Sequence, residues 1–268
     1  SPVTPLGKPC GLPTPNGGKS KLPLYTYFAV RSPYFKMFFG DWERAYEIDN
    51  YRNVSRVIDA DTKEPRIMYH GVRKFVEGFG SFANMGEGVK RPYGEFNPPK
   101  FPASYFGDNK EYVEFYGGNA KNMRKPSPDY KGFYYSVFLN MRNPIDLRPL
   151  GFESTFKDLI DYLFVKYGIL YEKEASVPQL RKGKYKVWVY IRNHPDLMEL
   201  MKNGGFDGII QEGDVPKYDK DGKINGSIVD TEYLTFYSSQ IESASVKNNL
   251  YLGVFDDIRF RQGGNVSI

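Results

Sequence analysis

Strand-like and helix-like segments follow one another in this chain without strict strand–helix–strand alternation. That pattern predicts a mixed single domain of the α+β class rather than a doubly wound parallel sheet. Three observations support it. A length of 268 residues suits one large domain or two small ones, with enough chain to bury a core. The 27 glycines and 19 prolines predict many loops and short strands. Tyr and Phe, at 22 and 20 residues, lift the aromatic share to 16 %, about twice the usual level, so several apolar layers can be built.

Residues 1–21, with Pro2, Pro5, Pro9, Pro13 and Pro15, show no apolar periodicity and are expected to form a flexible lead-in. Residues 22–268 are expected to form the single domain. Aromatics thicken over 22–51, where residues 33–39 suit a short helix with Pro33 in its first turn. These aromatics suit core packing better than a flap. Residues 66–71 predict an apolar strand ending at a glycine. Phe75, Phe79 and Phe82 have helix spacing, and residues 83–102 form a long Gly/Pro-rich loop. Residues 103–106 predict a strand. Asp108 or Asn109 can then cap a helix that runs through Tyr116 and stops at Gly117-Gly118.

Residues 133–139 (Phe-Tyr-Tyr-Ser-Val-Phe-Leu) predict a strand. Ser154 or Thr155 caps an amphipathic helix closed by Gly168. Residues 187–191 predict another strand, and Asn193 or His194 opens a helix that runs through Met201. Residues 207–210 and 232–237 predict late strands separated by a charged, Gly-rich loop.

Composition excludes several chemistries. A single cysteine, Cys10, rules out an internal disulfide framework or a Cys-rich zinc site, and two histidines, His70 and His194, nearly rule out His-built metal centres. No run approaches the ~18 consecutive apolar residues of a membrane span. Residues 1–24 lack an apolar h-region, so no signal peptide is expected there. The net charge of +5 is too small to argue for nucleic acid unless clustered. The densest basic run, Arg181, Lys182, Lys184 and Lys186, suits a solvated edge strand.

Three motifs fail. Gly18-Lys19-Ser20 ends like a phosphate-binding loop, but Pro13 stands where its first glycine belongs. Gly86-Glu-Gly88 lacks a third glycine at Arg91. Residues 221–232 match a calcium loop at several places, yet Lys223 stands at the third and the flanks are not helical.

The constellation that remains is Tyr69-His70-Gly71, then Ser104-Tyr105-Phe106 leading to Tyr116, then Glu232 opening a late strand. Taken singly, each of these side chains suits packing. Together they resemble the His-Tyr-Glu class of ADP-ribosyltransferases, which includes diphtheria-type toxins and the poly(ADP-ribose) polymerases. The closer likeness is to ADP-ribosyltransferase domains of phage and mobile-element polyvalent proteins. It rests on Pro15-Asn16-Gly17, Phe39-Gly40-Asp41-Trp42, Asn143-Pro144, Gly205-Phe206-Asp207-Gly208-Ile209, Gln240-Ile241 and Asp257-Ile258-Arg259, in that order. Val72 departs from the pattern, standing where such domains commonly carry a hydroxyl residue.

The resemblance implies a split mixed β-sandwich with peripheral helices, and NAD as the substrate. It implies Glu232, His70 and Tyr105 as catalytic, with His70, Gly71, Ser104, Tyr105, Tyr116 and Arg73 at the cofactor. Glu232 would stabilise the positive charge that develops when the nicotinamide–ribose bond breaks. His70 would hold a ribose hydroxyl, and Gly71 would let its backbone approach the nicotinamide amide. Tyr105 and Tyr116 would sandwich the ring. Arg73, Lys74 and Arg91 are candidates for the pyrophosphate by position. No metal is required.

The implied activity is transfer of ADP-ribose to a macromolecular acceptor, a protein first and nucleic acid second, without a membrane. An NAD glycohydrolase on the same fold, or a silent NAD-binding module of a virion, are the alternatives. The implied place of action is the cytoplasm of a bacterial or host cell, with phage delivery or virion association as variants.

Overall fold

The aromatic and apolar residues of Phe133–Leu139 form a strand one place in from the edge of a seven-stranded sheet. The computed structural model describes residues 7–72, 103–117, 133–175, 178–181, 183–219 and 221–244. In chain order the strands are β1 (Met68–Val72), β2 (Ser104–Gly107), β3 (Phe133–Leu139), β4 (Pro144–Asp146), β7 (Gly208–Tyr218), β8 (Ile224–Thr235) and β9 (Ile241–Ser243). A two-stranded sheet pairs β5 (Glu153–Ser154) with β6 (Tyr185–Lys186). The helices are α1 (Leu24–Ala29), α2 (Pro33–Phe39), α3 (Trp42–Glu47), α4 (Lys110–Gly117), α5 (Phe156–Tyr167), α6 (Val187–Asn193) and α7 (Pro195–Asn203).

The large sheet runs β4-β7-β8-β2-β1-β3-β9 and is antiparallel except where β4 lies parallel to β7. The fold is α+β, as expected. The expected split lies between β1 and β2. Those strands share only the register pair Tyr69↔Gly107, whereas β1 and β3 pair over five residues and β2 and β8 over four. The two halves are therefore one hydrogen-bonded sheet with a near break at its centre.

Alternate residues send the sheet into different cores. Ile209 and Leu234 pack with α5–α7, while Ile210 and Tyr233 join Met68, Phe106, Val137 and Leu139 in a second cluster. Phe138 turns the other way to meet α1–α3. There Phe35, Phe39 and Trp42 are fully buried, and Phe35 stacks on Phe39 and meets Phe138 edge-on. The early aromatics are thus core. Helix α5 has the expected start and stop. Thr155 and Asp158 form a capping box, and Gly168 closes the helix at φ 69°.

Three expectations change. Residues 187–191 are not a strand but the first turns of α6, despite their β-branched composition. Val187, Tyr190 and Ile191 fall at i, i+3 and i+4 and are all buried against α5 and α7, so burial of one helical face outweighs propensity. The charged segment after Ile210 is not a loop. β7 and β8 pair over eleven residue pairs, so most of it is a hairpin that turns near residues 219–223. This also ends the calcium-loop reading, because residues 224–235 are extended strand. Finally, residues 7–21 of the lead-in are folded back. Cys10 N–H donates to the Leu22 carbonyl, and Ser20 N–H to that of Leu12, each at 2.8 Å. Ser20 also bonds the buried Glu64 at 2.6 Å, and Arg31 pairs with the same carboxylate at 2.8 Å. The helix expected over 74–82, the 83–102 loop up to residue 102, and the 257–259 tail lie outside the described residues. Among the described residues, no helix is long and apolar enough to cross a membrane.

Phe35→Ala removes the ring that joins α2 to β3. Its expected cost is about 3–5 kcal/mol, read as a lower urea midpoint with an unchanged slope.

Candidate active site

The β7–β8 hairpin sets Gln211 directly opposite Glu232. Gln211 Nε2 donates to Glu232 Oε2 at 3.0 Å. Next along the same face comes Gly213, where an added Cβ would overlap the Glu232 carboxyl carbon and the Tyr112 hydroxyl. Only a residue without a side chain leaves room for those two groups to meet.

Helix α4 supplies the other partner. Asn109 caps it, with Oδ1 accepting from Glu111 N–H at 2.9 Å. Tyr112 and Tyr116, four residues apart, then share one helix face. The Tyr112 hydroxyl donates to Glu232 Oε1, and its oxygen lies 3.4 Å from that of Tyr116. Glu232 is 5 % exposed, so both carboxylate oxygens are held by protein donors away from solvent.

Tyr105 lies on β2 opposite Leu234, two residues from the Gly107–Glu232 pair, and faces the same side as Glu232. Its carbonyl accepts from His70 Nδ1 at 2.6 Å. Because a carbonyl only accepts, Nδ1 carries the proton, and in the neutral ring Nε2 becomes the acceptor nitrogen. Burial lowers the His70 pKa, and the carbonyl bond only partly opposes it, so the ring is neutral at neutral pH. Gly71 pairs with Tyr134 in the strand next door. Ser104 is buried on the face opposite the Tyr105 ring, beside Phe106. Arg73, Lys74 and Arg91 lie outside the described residues.

Of the sequence-expected residues the structure brings Tyr105, Tyr116 and Glu232 together on one face, whereas Ser104 and His70 turn to the other, the His70 ring lying 5.3 Å from that of Phe106. Tyr105, Tyr116 and Glu232 act on one another electrostatically, and His70 joins through the Tyr105 backbone. Burial raises the Glu232 pKa, the Tyr112 and Gln211 hydrogen bonds pull it back down, and the charge of Asp214 raises it. Burial and then the Glu232 charge push the Tyr105 hydroxyl well above its ordinary value and that of Tyr116 up to about 12. Arg192 of α6 opposes both shifts, which makes it a cation facing this group. All three tyrosines stay protonated donors at neutral pH.

Tyr112, Gln211 and Arg192 were not among the residues singled out in the sequence. For Tyr112 a signal existed, the i, i+4 spacing to Tyr116. For Gln211 it was a lone polar residue after Gly-Ile-Ile, legible only once β7 pairs with β8. Arg192 sat just past the strand expected over 187–191.

A second carboxylate, Asp230, lies on the same face of β8. It accepts from Asn109 N–H at 3.1 Å and shares a hydrogen bond with Asp108, which in turn pairs with Arg66 at 2.7 Å. A side chain at Gly107 would overlap Asp230. Burial, then the hydrogen bond and charge of Asp108, push the Asp230 pKa up to about 8. Asp230 therefore holds a proton that binds it to Asp108 and anchors the start of α4.

The family described as ADP-ribosyltransferase in polyvalent proteins matches residues 61–250, well over half of the chain. Neither a curated protein nor a solved structure matches it. The matched residues include His70, Tyr105, Tyr112, Tyr116, Gln211 and Glu232. Helices α1–α3 precede them.

The pH dependence of stability follows from Asp230. Its folded pKa lies above the unfolded value of about 4, so its contribution is full below that pH and is lost as pH rises toward about 8. Thermal unfolding should show Tm falling by about 5 °C or more over this window. Asp230→Asn keeps a neutral group there and should flatten the fall.

Proposed function

Because the chain belongs to the ADP-ribosyltransferase family of polyvalent proteins, we propose that it cleaves the nicotinamide–ribose bond of NAD and passes ADP-ribose to a macromolecular acceptor, in the first instance a protein. The observation that carries this reading is the buried Glu232 carboxylate, held on both oxygens by Tyr112 and Gln211 beside Tyr105 and Tyr116.

In this reaction the C1′–N bond breaks and its electron pair leaves with the pyridinium ring as neutral nicotinamide. Positive charge develops on the ribose C1′ and ring oxygen. Glu232 meets that charge with a fixed negative one and holds the ribose 2′-hydroxyl. Its orientation is set before substrate arrives, so little reorganisation is needed in the transition state. The acceptor nucleophile then bonds to C1′ and gives up its proton. His70 binds the dinucleotide through a ribose hydroxyl. Tyr105 and Tyr116 hold the nicotinamide ring between flat faces. The cytoplasm of a bacterial or host cell is part of the same proposal.

Labelled NAD incubated with a bacterial lysate tests the reading. A labelled protein is the expected outcome. Nicotinamide release without label on any macromolecule would assign a glycohydrolase, and NAD binding without release a silent module.

Glu232→Gln keeps the size of the side chain but removes its charge. NAD affinity by calorimetry should change little, while nicotinamide release at saturating NAD should fall about 10²–10³-fold. His70→Ala should weaken NAD binding as well as turnover.

Tyr112→Phe keeps the packed ring and removes one of the bonds that hold down the Glu232 pKa. That pKa should rise, so the acid limb of the kcat/KM profile should move to higher pH, measured between about pH 5 and pH 9.

A further inference from the structure

Gln211 is fully buried, yet its side-chain carbonyl Oε1 has no hydrogen-bond partner. The amide cannot turn round to remedy this. Its nitrogen donates to Glu232 Oε2, and a carboxylate only accepts, so the nitrogen must face Glu232 and the carbonyl must face away. Unpaired buried acceptors are few in folded proteins, and each one that persists calls for an explanation. Among the described residues four other buried atoms share this state: Thr26 Oγ1, Trp188 Nε1, Asp207 Oδ1 and Thr235 Oγ1. The Asp207 carboxylate already accepts through Oδ2 from the Arg142 and Asn143 amides. Of the five, only Gln211 is hydrogen-bonded to Glu232.

We propose that Gln211 Oε1 accepts the 3′-hydroxyl of the nicotinamide-side ribose, next to the 2′-hydroxyl held by Glu232, so that the pair reads a cis-diol. This rests on the NAD-cleaving reading above. Two acceptors on directly facing residues suit two donors on neighbouring carbons, and a sugar lacking one hydroxyl leaves a buried acceptor empty. Gln211 then has two tasks on one amide. Its nitrogen positions the carboxylate and its oxygen binds the substrate. A second carboxylate could accept the hydroxyl but could not donate to Glu232.

The test measures nicotinamide release from NAD and from an NAD analogue lacking the 3′-hydroxyl on the nicotinamide ribose. The wild-type kcat/KM should be about 10- to 100-fold lower on the analogue. Gln211→Met, which keeps bulk without the acceptor, should lower kcat/KM on NAD and treat the two substrates alike. Gln211→Glu, which keeps an acceptor oxygen, should retain the discrimination while kcat falls. A wild-type protein indifferent to the 3′-hydroxyl overturns the proposal, whatever the variants do. So does a Gln211→Met protein that discriminates as strongly as wild type. If Gln211→Met fails to fold, by its thermal transition, loss of discrimination in Gln211→Glu overturns the proposal and its retention supports it. A wild-type chain that releases no nicotinamide from NAD overturns the underlying reading, which separates that failure from a failure of the diol contact.

Discussion

A carboxylate removed from water must be given hydrogen bonds, and around Glu232 much of the sheet is arranged to give them. At 5 % exposure it has no solvent shell to fall back on. One oxygen is met by Gln211 from the neighbouring strand and the other by Tyr112 from the helix above. Each partner imposes a condition. Gln211 faces Glu232 only in one register of the β7–β8 hairpin, since a slip of one residue would send its side chain to the opposite face. Tyr112 reaches Glu232 only because Gly213 presents no side chain in between.

The same constraint accounts for the start of α4. Asn109 caps the helix, while Asp230 accepts the Asn109 N–H and donates its own proton to Asp108. Asp230 and Glu232 thus fasten α4 at two places along one face of β8. One carboxyl is kept protonated by burial and by Asp108. Burial raises the pKa of the other as well, but its two donors hold that rise back. Two acids two residues apart are given opposite tendencies by their neighbours.

The near break between β1 and β2 gives the group its other component. With only Tyr69↔Gly107 in register, the strands part, and His70 spends its Nδ1 proton on the Tyr105 carbonyl. That bond ties the His70 half of the sheet to the Tyr105 and Glu232 half. Elsewhere the apolar clusters on alternate faces of β3, β7 and β8 keep the two halves stiff.

Much of this was legible in the chain itself. The aromatic and apolar run over residues 133–139, the Thr155–Gly168 helix and the cap before Tyr116 are local patterns, set by neighbours within a few residues. His70, Tyr105, Tyr116 and Glu232 could be named because the motifs around them, in that order, resemble those of a known family, although Glu232 lies near the end of β8 and not at a strand start. Local pattern failed where partners lie far apart in sequence. Residues 187–191 have strand propensity and became helix because α5 and α7 cover a helical stripe. The charged stretch after Ile210 looked like a loop because its strand pairing depends on a partner beyond the turn. The folded-back residues 7–21 depend on Glu64 and Leu22. Gln211 and Arg192 belong to the same class, since nothing adjacent marks their position, whereas Tyr112 carried a local signal in its spacing to Tyr116. Their meeting with Glu232 is decided by hairpin register and by the packing of α4 and α6. Sequence alone determined the residue types the chemistry needs and their local settings. The tertiary structure decided which of them share a buried face, because burial and hydrogen-bond pairing are set between segments distant in the chain.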